Sequence, residues 1–242
     1  MIELRGVWKK LGTREILRGL DLVVPDGLNY VLMGRSGTGK SVTLKHVIGI
    51  LKPDRGSVKV DDVEVTALRR RELADLRRKM GYLFQNGALI NWLTVEQNVA
   101  LPLVENTRTP RGEVHDRVME TLQVVGMDHA AQQFPPDISG GMKLRVGLAR
   151  ALVTRPRYVL YDEPNAGLDP IMARQIHELI AQVRDRFGVT GLLVTHSRQC
   201  ALDTGDRIGV LDEGRIVAEG SVEEMCRSPH PLVQSFLSGH AD

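Results

Sequence analysis

Leu28-Asn29-Tyr30-Val31-Leu32-Met33-Gly34-Arg35-Ser36-Gly37-Thr38-Gly39-Lys40-Ser41-Val42 decides the fold. The apolar run 28–33 reads as a buried strand, and residues 42–50 read as a helix. Between them, Gly34-Arg35-Ser36-Gly37-Thr38-Gly39-Lys40-Ser41 has the spacing of a phosphate-binding loop, and this strand–loop–helix setting gives the motif its meaning. The glycines let the chain curl and turn successive N–H groups inward, and the N-terminus of the following helix at Val42 adds partial positive charge. Lys40 can reach terminal phosphates, and the Ser41 hydroxyl can ligate Mg²⁺. The site therefore starts from a nucleoside triphosphate.

Composition sets outer bounds. The chain has 242 residues, 42% of them hydrophobic, enough for a sizeable core. No apolar run reaches the roughly 18 residues that span a bilayer. The start Met1-Ile2-Glu3-Leu4-Arg5 lacks the apolar stretch of a signal peptide, so a cytoplasmic protein is expected. A net charge of +2 argues against a nucleic-acid binder, which carries a concentrated basic face. Cys200 and Cys226 form no metal-like or disulfide-like pattern. One basic cluster stands out: Arg69-Arg70-Arg71 and Arg77-Arg78-Lys79 bracket Glu72 and Asp75. It reads first as a solvated helix with internal ion pairs, and otherwise as a surface for an acidic partner or anionic headgroups.

Working outward, residues 2–8 and 16–24 alternate as strands, the second closing at the Pro25-Asp26-Gly27 turn. Residues 57–60 and 63–65 read as a hairpin across Asp61-Asp62, and 80–84 as a short strand. The middle third changes period. Thr109 reads as an N-cap with Pro110 at the first helical position, Val114, Val118, Leu122 and Val125 recur at helical spacing, and Gly126 reads as the stop. A further helix is expected over 139–153. The last third alternates again: strand 158–161, helix 170–187, strand 192–195, and a hairpin of 208–211 with 215–218. Ser221-Val222-Glu223-Glu224 reads as a capping box opening a short helix. This order predicts an α/β fold with a mainly parallel sheet, an N-terminal antiparallel β part, and an inserted helical segment.

The expected strand 158–161 ends in Asp162 and Glu163. A buried strand delivers both to the sheet edge that carries the phosphate loop. Asp162 can hold Mg²⁺ there, and Glu163 can polarise a water in line with the γ-phosphate. Elsewhere such a pair would read as ordinary strand-end acids. Ser139-Gly140-Gly141 opens a helix and makes a second candidate anion site, although alone it reads as a simple cap. His196 follows an apolar strand and can hydrogen-bond a γ-phosphate oxygen. Gln85 ends another strand and can reach the metal or the attacking water. In isolation both read as structural or surface groups.

The order of the phosphate loop, Gln85, Ser139-Gly140-Gly141, Asp162-Glu163, Gly167-Leu168-Asp169 and His196 resembles that of ABC-transporter ATPase subunits over essentially the whole chain. The resemblance implies a single domain, with 1–85 and 157–242 as a P-loop NTPase core and about 86–156 as a helical subdomain. It implies ATP and Mg²⁺ as cofactors and a head-to-tail dimer with a second copy. Each ATP would lie on the loop of one copy and under Ser139, Gly140, Gly141 and Met142 of the other. Asp169 would couple the two sites, and Gln85 to about Val104 would meet transmembrane permease subunits. The chain departs from the common pattern in three places. Met142 stands for the usual glutamine. Leu11 stands for the aromatic that stacks on adenine, leaving that base to Leu11 or Trp8. Ser197 stands for the frequent aspartate after His196.

Within the family, Leu83-Phe84-Gln85-Asn86-Gly87-Ala88-Leu89 resembles the Mce/Mla-type lipid-transport ATPases. So do Ser139-Gly140-Gly141-Met142 with Arg145 and Ala149-Arg150-Ala151, and Glu163-Pro164 with Gly167-Leu168-Asp169-Pro170-Ile171. This implies phospholipid cargo between inner and outer membranes, a membrane-anchored Mce-type protein and a small STAS-domain partner. The chain would sit on the cytoplasmic face of the inner membrane. Relatives with a longer tail embrace the partner copy, whereas here the chain ends soon after Phe236-Leu237-Ser238-Gly239.

Overall fold

In the computed structural model, residues 1–107 and 109–237 are described, with Asn106 in its backbone only. Ser238 and Gly239 of the sequence-stretch above lie outside the described residues. The first strands are β1 (Ile2–Leu11), β2 (Arg14–Val24) and β3 (Asn29–Met33), followed by helix α1 (Lys40–Val47). Strands β4 (Arg55–Val60) and β5 (Val63–Glu64), helix α2 (Arg70–Arg78) and strand β6 (Met80–Leu83) come next. Between β6 and the next strand the described elements are helical: α3 (Val95–Asn106), α4 (Arg111–Val124) and α5 (Gly140–Leu152), with short 3₁₀ turns. Then follow β7 (Tyr158–Asp162), α6 (Pro170–Phe187), β8 (Thr190–Thr195), α7 (Arg198–Thr204), β9 (Arg207–Asp212), β10 (Arg215–Ser221), α8 (Val222–Cys226) and α9 (Pro231–Leu237).

The strands form two sheets, ordered β2-β1-β4-β5 and β10-β9-β3-β8-β7-β6. The first is antiparallel; in the second only the edge pair β9–β10 is antiparallel. β3 and β8 are buried along their whole length, as central strands of a parallel sheet covered on both faces must be. Their alternating side chains divide two cores. Val31, Met33, Val159, Tyr161 and Leu193 face the helical layer of α3 to α7. Tyr30, Leu32, Tyr158, Leu160, Leu192 and Val194 face α1 and the antiparallel sheet. The site elements thus emerge at one edge, the C-terminal ends of β3, β7 and β8.

Several boundaries differ from the sequence expectations. The helix expected over 42–50 spans Lys40–Val47, because Gly39 in the left-handed region (φ 112°) already caps it and Gly49 (φ 65°) turns the chain out. Pro110, not Thr109, is the N-cap of α4; the Thr109 hydroxyl is engaged with Thr107 Oγ1 at 2.6 Å instead. The strand expected over 80–84 stops at Leu83, and Val65 belongs to a 3₁₀ turn rather than to its hairpin. The Asp61-Asp62 turn holds, with both residues at positive φ. Helix α3 is an addition. Its Thr94–Gln97 capping box is formed, and buried Asn98 ties the preceding loop through the carbonyls of Ile90, Leu93 and Thr94. Pro102 inside α3 is what obscured it. In α2, Arg78 pairs with Asp75, but Arg77 reaches out to the carbonyls of Ile48 and Gly49.

Candidate nucleotide-binding site

The loop between β3 and α1 is shaped by close backbone approach. A Cβ on Gly34 would lie 2.5 Å from the carbonyl oxygen of Leu211, and one on Gly39 2.8 Å from Leu17, so neither position admits a side chain. Gly39 also carries a φ that only glycine adopts readily. Lys40 is 6% exposed and bends back over the loop: Nζ donates to the carbonyls of Gly34 (2.8 Å) and Arg35 (3.2 Å). A buried ammonium needs such partners.

Around Lys40 the carboxylates converge. Ser41 Oγ donates to Asp162 Oδ1 at 2.7 Å, and Tyr82 OH donates to Asp162 Oδ2 at 2.9 Å. Glu163 lies 3.4 Å from Lys40 Nζ through Oε1 and 2.9 Å from His196 Nδ1 through Oε2. Because a carboxylate only accepts, Nδ1 of His196 carries the proton in this contact. Glu163 reaches this position with φ of 49°, a left-handed conformation unusual for a residue with a side chain. It is tied there by its own N–H on Val194 O and by the N–H of His196 on its carboxylate. Strained backbone of this kind, worth about 1–3 kcal/mol, is held by surroundings that over-determine it. Asp162 and Tyr82 face the same cleft, and burial, with the Asp162 charge beside it, raises the Tyr82 pKa well above its ordinary value.

The remaining expected residues fall on the rim. Gln85 is exposed and opens a tight turn in which Asn86, Gly87 and Ala88 all have positive φ. That turn is pressed onto α5 and clamped by Arg150, which donates to the carbonyls of Gly87 (2.7 Å) and Ala88 (2.9 Å). Ser139 caps α5 through Met142 N, and both Ser139 and Gly140 are exposed. Gly141 is buried, and a Cβ there would meet Met172 of α6 at 2.6 Å. Asp169 caps α6 through Ile171 N and Met172 N, and the Gly141–Met172 contact brings the first turns of α5 and α6 together. Leu11, 43% exposed, ends β1 beside the loop; Trp8 is turned onto Gly19. Ser36, Gly37 and Thr38 lie exposed or half-buried along the loop, and Thr38 Oγ1 donates to Arg35 O at 2.9 Å. Val42 is half-buried in the first turn of α1. The role of Tyr82 was missed. Its signal is a tyrosine three residues before Gln85, readable only once β6 is known to lie beside β7.

The donor set suits a triphosphate with Mg²⁺. Gly34 and Gly39 let the loop backbone pack closely on Leu211 and Leu17, and the Ser41 hydroxyl and Asp162 carboxylate beside it are hard oxygen donors. A magnesium ion takes one or two carboxylates and completes its shell with phosphates and water.

Residues 17–166 match the family model described as ABC transporter. The chain is 41% identical over 238 residues to the probable ribonucleotide transport ATP-binding protein Mkl of Mycobacterium leprae (strain TN), covering 98% of this chain and 69% of that relative. It is 37% identical over 242 residues to the intermembrane phospholipid transport system ATP-binding protein MlaF of Escherichia coli (strain K12), covering 100% of this chain and 90% of that relative. Among solved structures it is similar to an ATP-binding cassette in a dimeric post-hydrolysis state bound to ADP and Pi. That similarity has a TM-score of 0.83, 33% identity, and coverage of 92% of this chain and 99% of the other.

Proposed function

The chain belongs to the ABC transporter family of ATP-hydrolysing subunits, and from that membership we propose that it drives phospholipid transport between two membranes as the ATPase of an Mce/Mla-type complex. The observation that carries the ATPase part is the convergence of Lys40, Ser41, Asp162, Glu163 and His196 at one sheet edge. The lipid part is supported by the likeness to MlaF over the whole chain and by Met142 in the signature turn. Mkl, named for ribonucleotide transport, is the more identical of the two at 41% against 37%, so another cargo is the second reading.

ATP binds with its phosphates in the nest of residues 34–41. Lys40 then exchanges the Gly34 and Arg35 carbonyls for phosphate oxygens, which releases its hold on Glu163. Ser41 and Asp162 would hold Mg²⁺, with Gln85 completing that side, and the ion would supply charge neutralisation at the phosphates. Glu163 accepts a proton from the attacking water, and His196 donates toward the γ-phosphate. The exposed Ser139 and Gly140, with Gly141 and Met142, close on the ATP of a second copy in a head-to-tail dimer. Asp169 sits where a change at one site reaches the other.

The permease docks at the groove of about 440 Å³ between the end of α1, α2, β6 and α5. Ile48, Tyr82 and Pro102 line it together with exposed Ile50 and Phe84. Trp92 (80% exposed) and Val104 are further exposed apolar residues in the segment from Gln85 to Val104, and exposed apolar surface of this kind marks protein contacts. Among the described residues no helix is long and apolar enough to cross a membrane, so attachment to the cytoplasmic face of the inner membrane falls to that permease. Residues 86–156 act as the helical subdomain, rocking against the core formed by 1–85 and 157–242. An Mce-type protein and a small STAS-domain protein complete the complex.

Purification from native membranes in mild detergent, followed by mass spectrometry, tests this reading. A multi-spanning permease with an Mce-type protein and bound phospholipid is the expected result. A different permease would keep the ATPase and discard the cargo.

A further inference from the structure

Arg14 opens β2 directly across from Leu11, the last residue of β1, with only Gly12-Thr13 between them. Both side chains are exposed. From there β2 runs along the phosphate loop. A Cβ on Gly39 would lie 3.2 Å from Ile16 Cγ2, and one on Gly37 would lie 3.9 Å from an Arg14 guanidinium nitrogen. Arg14 and Ile16 share one face of the strand by its period of two. The guanidinium therefore hangs beside the turn whose N–H groups form the anion nest. No hydrogen-bond or ion-pair partner engages it among the described residues. The adjacent carboxylate, Glu15, is taken by Lys10 and Arg18. A free cation beside an anion nest is the first observation.

The second concerns the base. Leu11 presents only aliphatic surface, with no ring to stack on and no donor or acceptor for a base edge. Trp8 lies against Gly19, whose Cβ position is 3.2 Å from the indole nitrogen. The described groups at this end of the site thus favour the polyphosphate over the identity of the base.

We propose that Arg14 binds the phosphate chain of the nucleotide, so that this site holds nucleoside di- and triphosphates by charge at Arg14 and Lys40 with little discrimination between adenine and guanine. The proposal rests on the reading of residues 34–41 as the nucleotide site. A planar guanidinium matches a pair of phosphate oxygens as an ammonium cannot. The contact is exposed, so salt screens it.

Isothermal titration of the full chain with ADP and with GDP in excess Mg²⁺ tests this. Wild-type protein should bind the two within about threefold of each other, and Arg14→Ala should weaken both by about tenfold, the scale of one charge-assisted hydrogen bond. That loss should shrink on going from about 0.05 M to about 0.5 M salt, and Arg14→Lys should recover only part of it. Arg14→Ala binding both nucleotides as tightly as wild type, while Lys40→Ala abolishes binding, would overturn the inference and leave the nucleotide site standing. A strong preference of wild type for ADP would overturn its base-indifferent half. Unimpaired binding in Lys40→Ala would instead sink the site reading itself. Arg14 is exposed and unpartnered, so its replacement leaves the fold intact; a melting curve checks this.

Discussion

Glu163 Oε2 lies 2.9 Å from Nδ1 of His196, while Lys40 holds its other oxygen at 3.4 Å. The carboxylate is 14% exposed, so the Lys40 charge acts on it with little screening. A carboxylate held between two donors in this way is aimed, as a base must be. Glu163→Gln keeps the shape and an acceptor oxygen but removes the proton-accepting charge. ATP affinity should stay within a few-fold of wild type, while turnover should fall by about 10²–10⁴. Steady-state phosphate release with parallel nucleotide titration separates the two. Turnover near wild type in this variant would remove Glu163 from the role of base.

Ser139 and Gly140 face solvent, and among the described residues the Ser139 hydroxyl does no more than cap α5. A site completed by a second copy should therefore tolerate bulk at Ser139 in the monomer but not in the dimer. Ser139→Arg should bind ATP as wild type does and show no ATP-driven dimerisation and no turnover. Light scattering of the Glu163→Gln and Ser139→Arg/Glu163→Gln proteins with ATP reads this directly: the first should dimerise and the second should not. Sustained turnover in Ser139→Arg would argue against a shared site.

The parts legible from sequence were those carried by local chemistry. The loop 34–41 and the acidic end of β7 depend on residues adjacent in the chain, and α6 was bounded correctly by Pro170 and Phe187 for the same reason. What stayed hidden needs the neighbour of an element. Tyr82 meets Asp162 because β6 pairs with β7, with Tyr82 opposite Leu160 and one pleat repeat from Asp162. Arg14 comes beside Gly37 only because the antiparallel sheet lies over the phosphate loop. Helix α3 was hidden differently: Pro102 argues locally against a helix, and the buried Asn98 that anchors its start is invisible until the loop at 90–94 is placed.

The turn after Gln85 offers a packing test. Gly87 has φ of 76°, and a Cβ there would lie 2.4 Å from the carbonyl oxygen of Lys143. Both the clash and the backbone strain oppose any side chain, so Gly87→Ala should lower stability by about 2–4 kcal/mol. It should also reduce turnover, since Gln85 is two residues away. Gly112 is the control: it lies in α4, and its Cβ position meets nothing within 4 Å. Gly112→Ala should be neutral or stabilising by up to about 1 kcal/mol. Urea denaturation compares them, and equal stability of the two variants would refute the close approach.

His46 gives the protein an acid-sensitive core. It lies on α1 at 1% exposure, with Nδ1 2.7 Å from Val42 O and Nε2 buried without a partner. Burial pushes its pKa below the ordinary 6.5, and nearby Lys9 adds to this against the opposing pull of the Val42 bond and Asp54. Above 6.5 the ring is neutral in both folded and unfolded chains and contributes no pH dependence. Below it the unfolded chain takes up a proton that the folded one resists, so stability is lost as pH falls from 6.5 toward the lower folded value. His115 acts in the opposite sense: the hydrogen bond to Glu96 raises its pKa, so its stabilisation is present in acid and fades as pH rises. Melting temperatures at about pH 7.5 and about pH 5.5 should therefore differ less in His46→Leu than in wild type, and more in His115→Ala. A drop in His46→Leu as large as in wild type would mean that His46 does not set the acid limb.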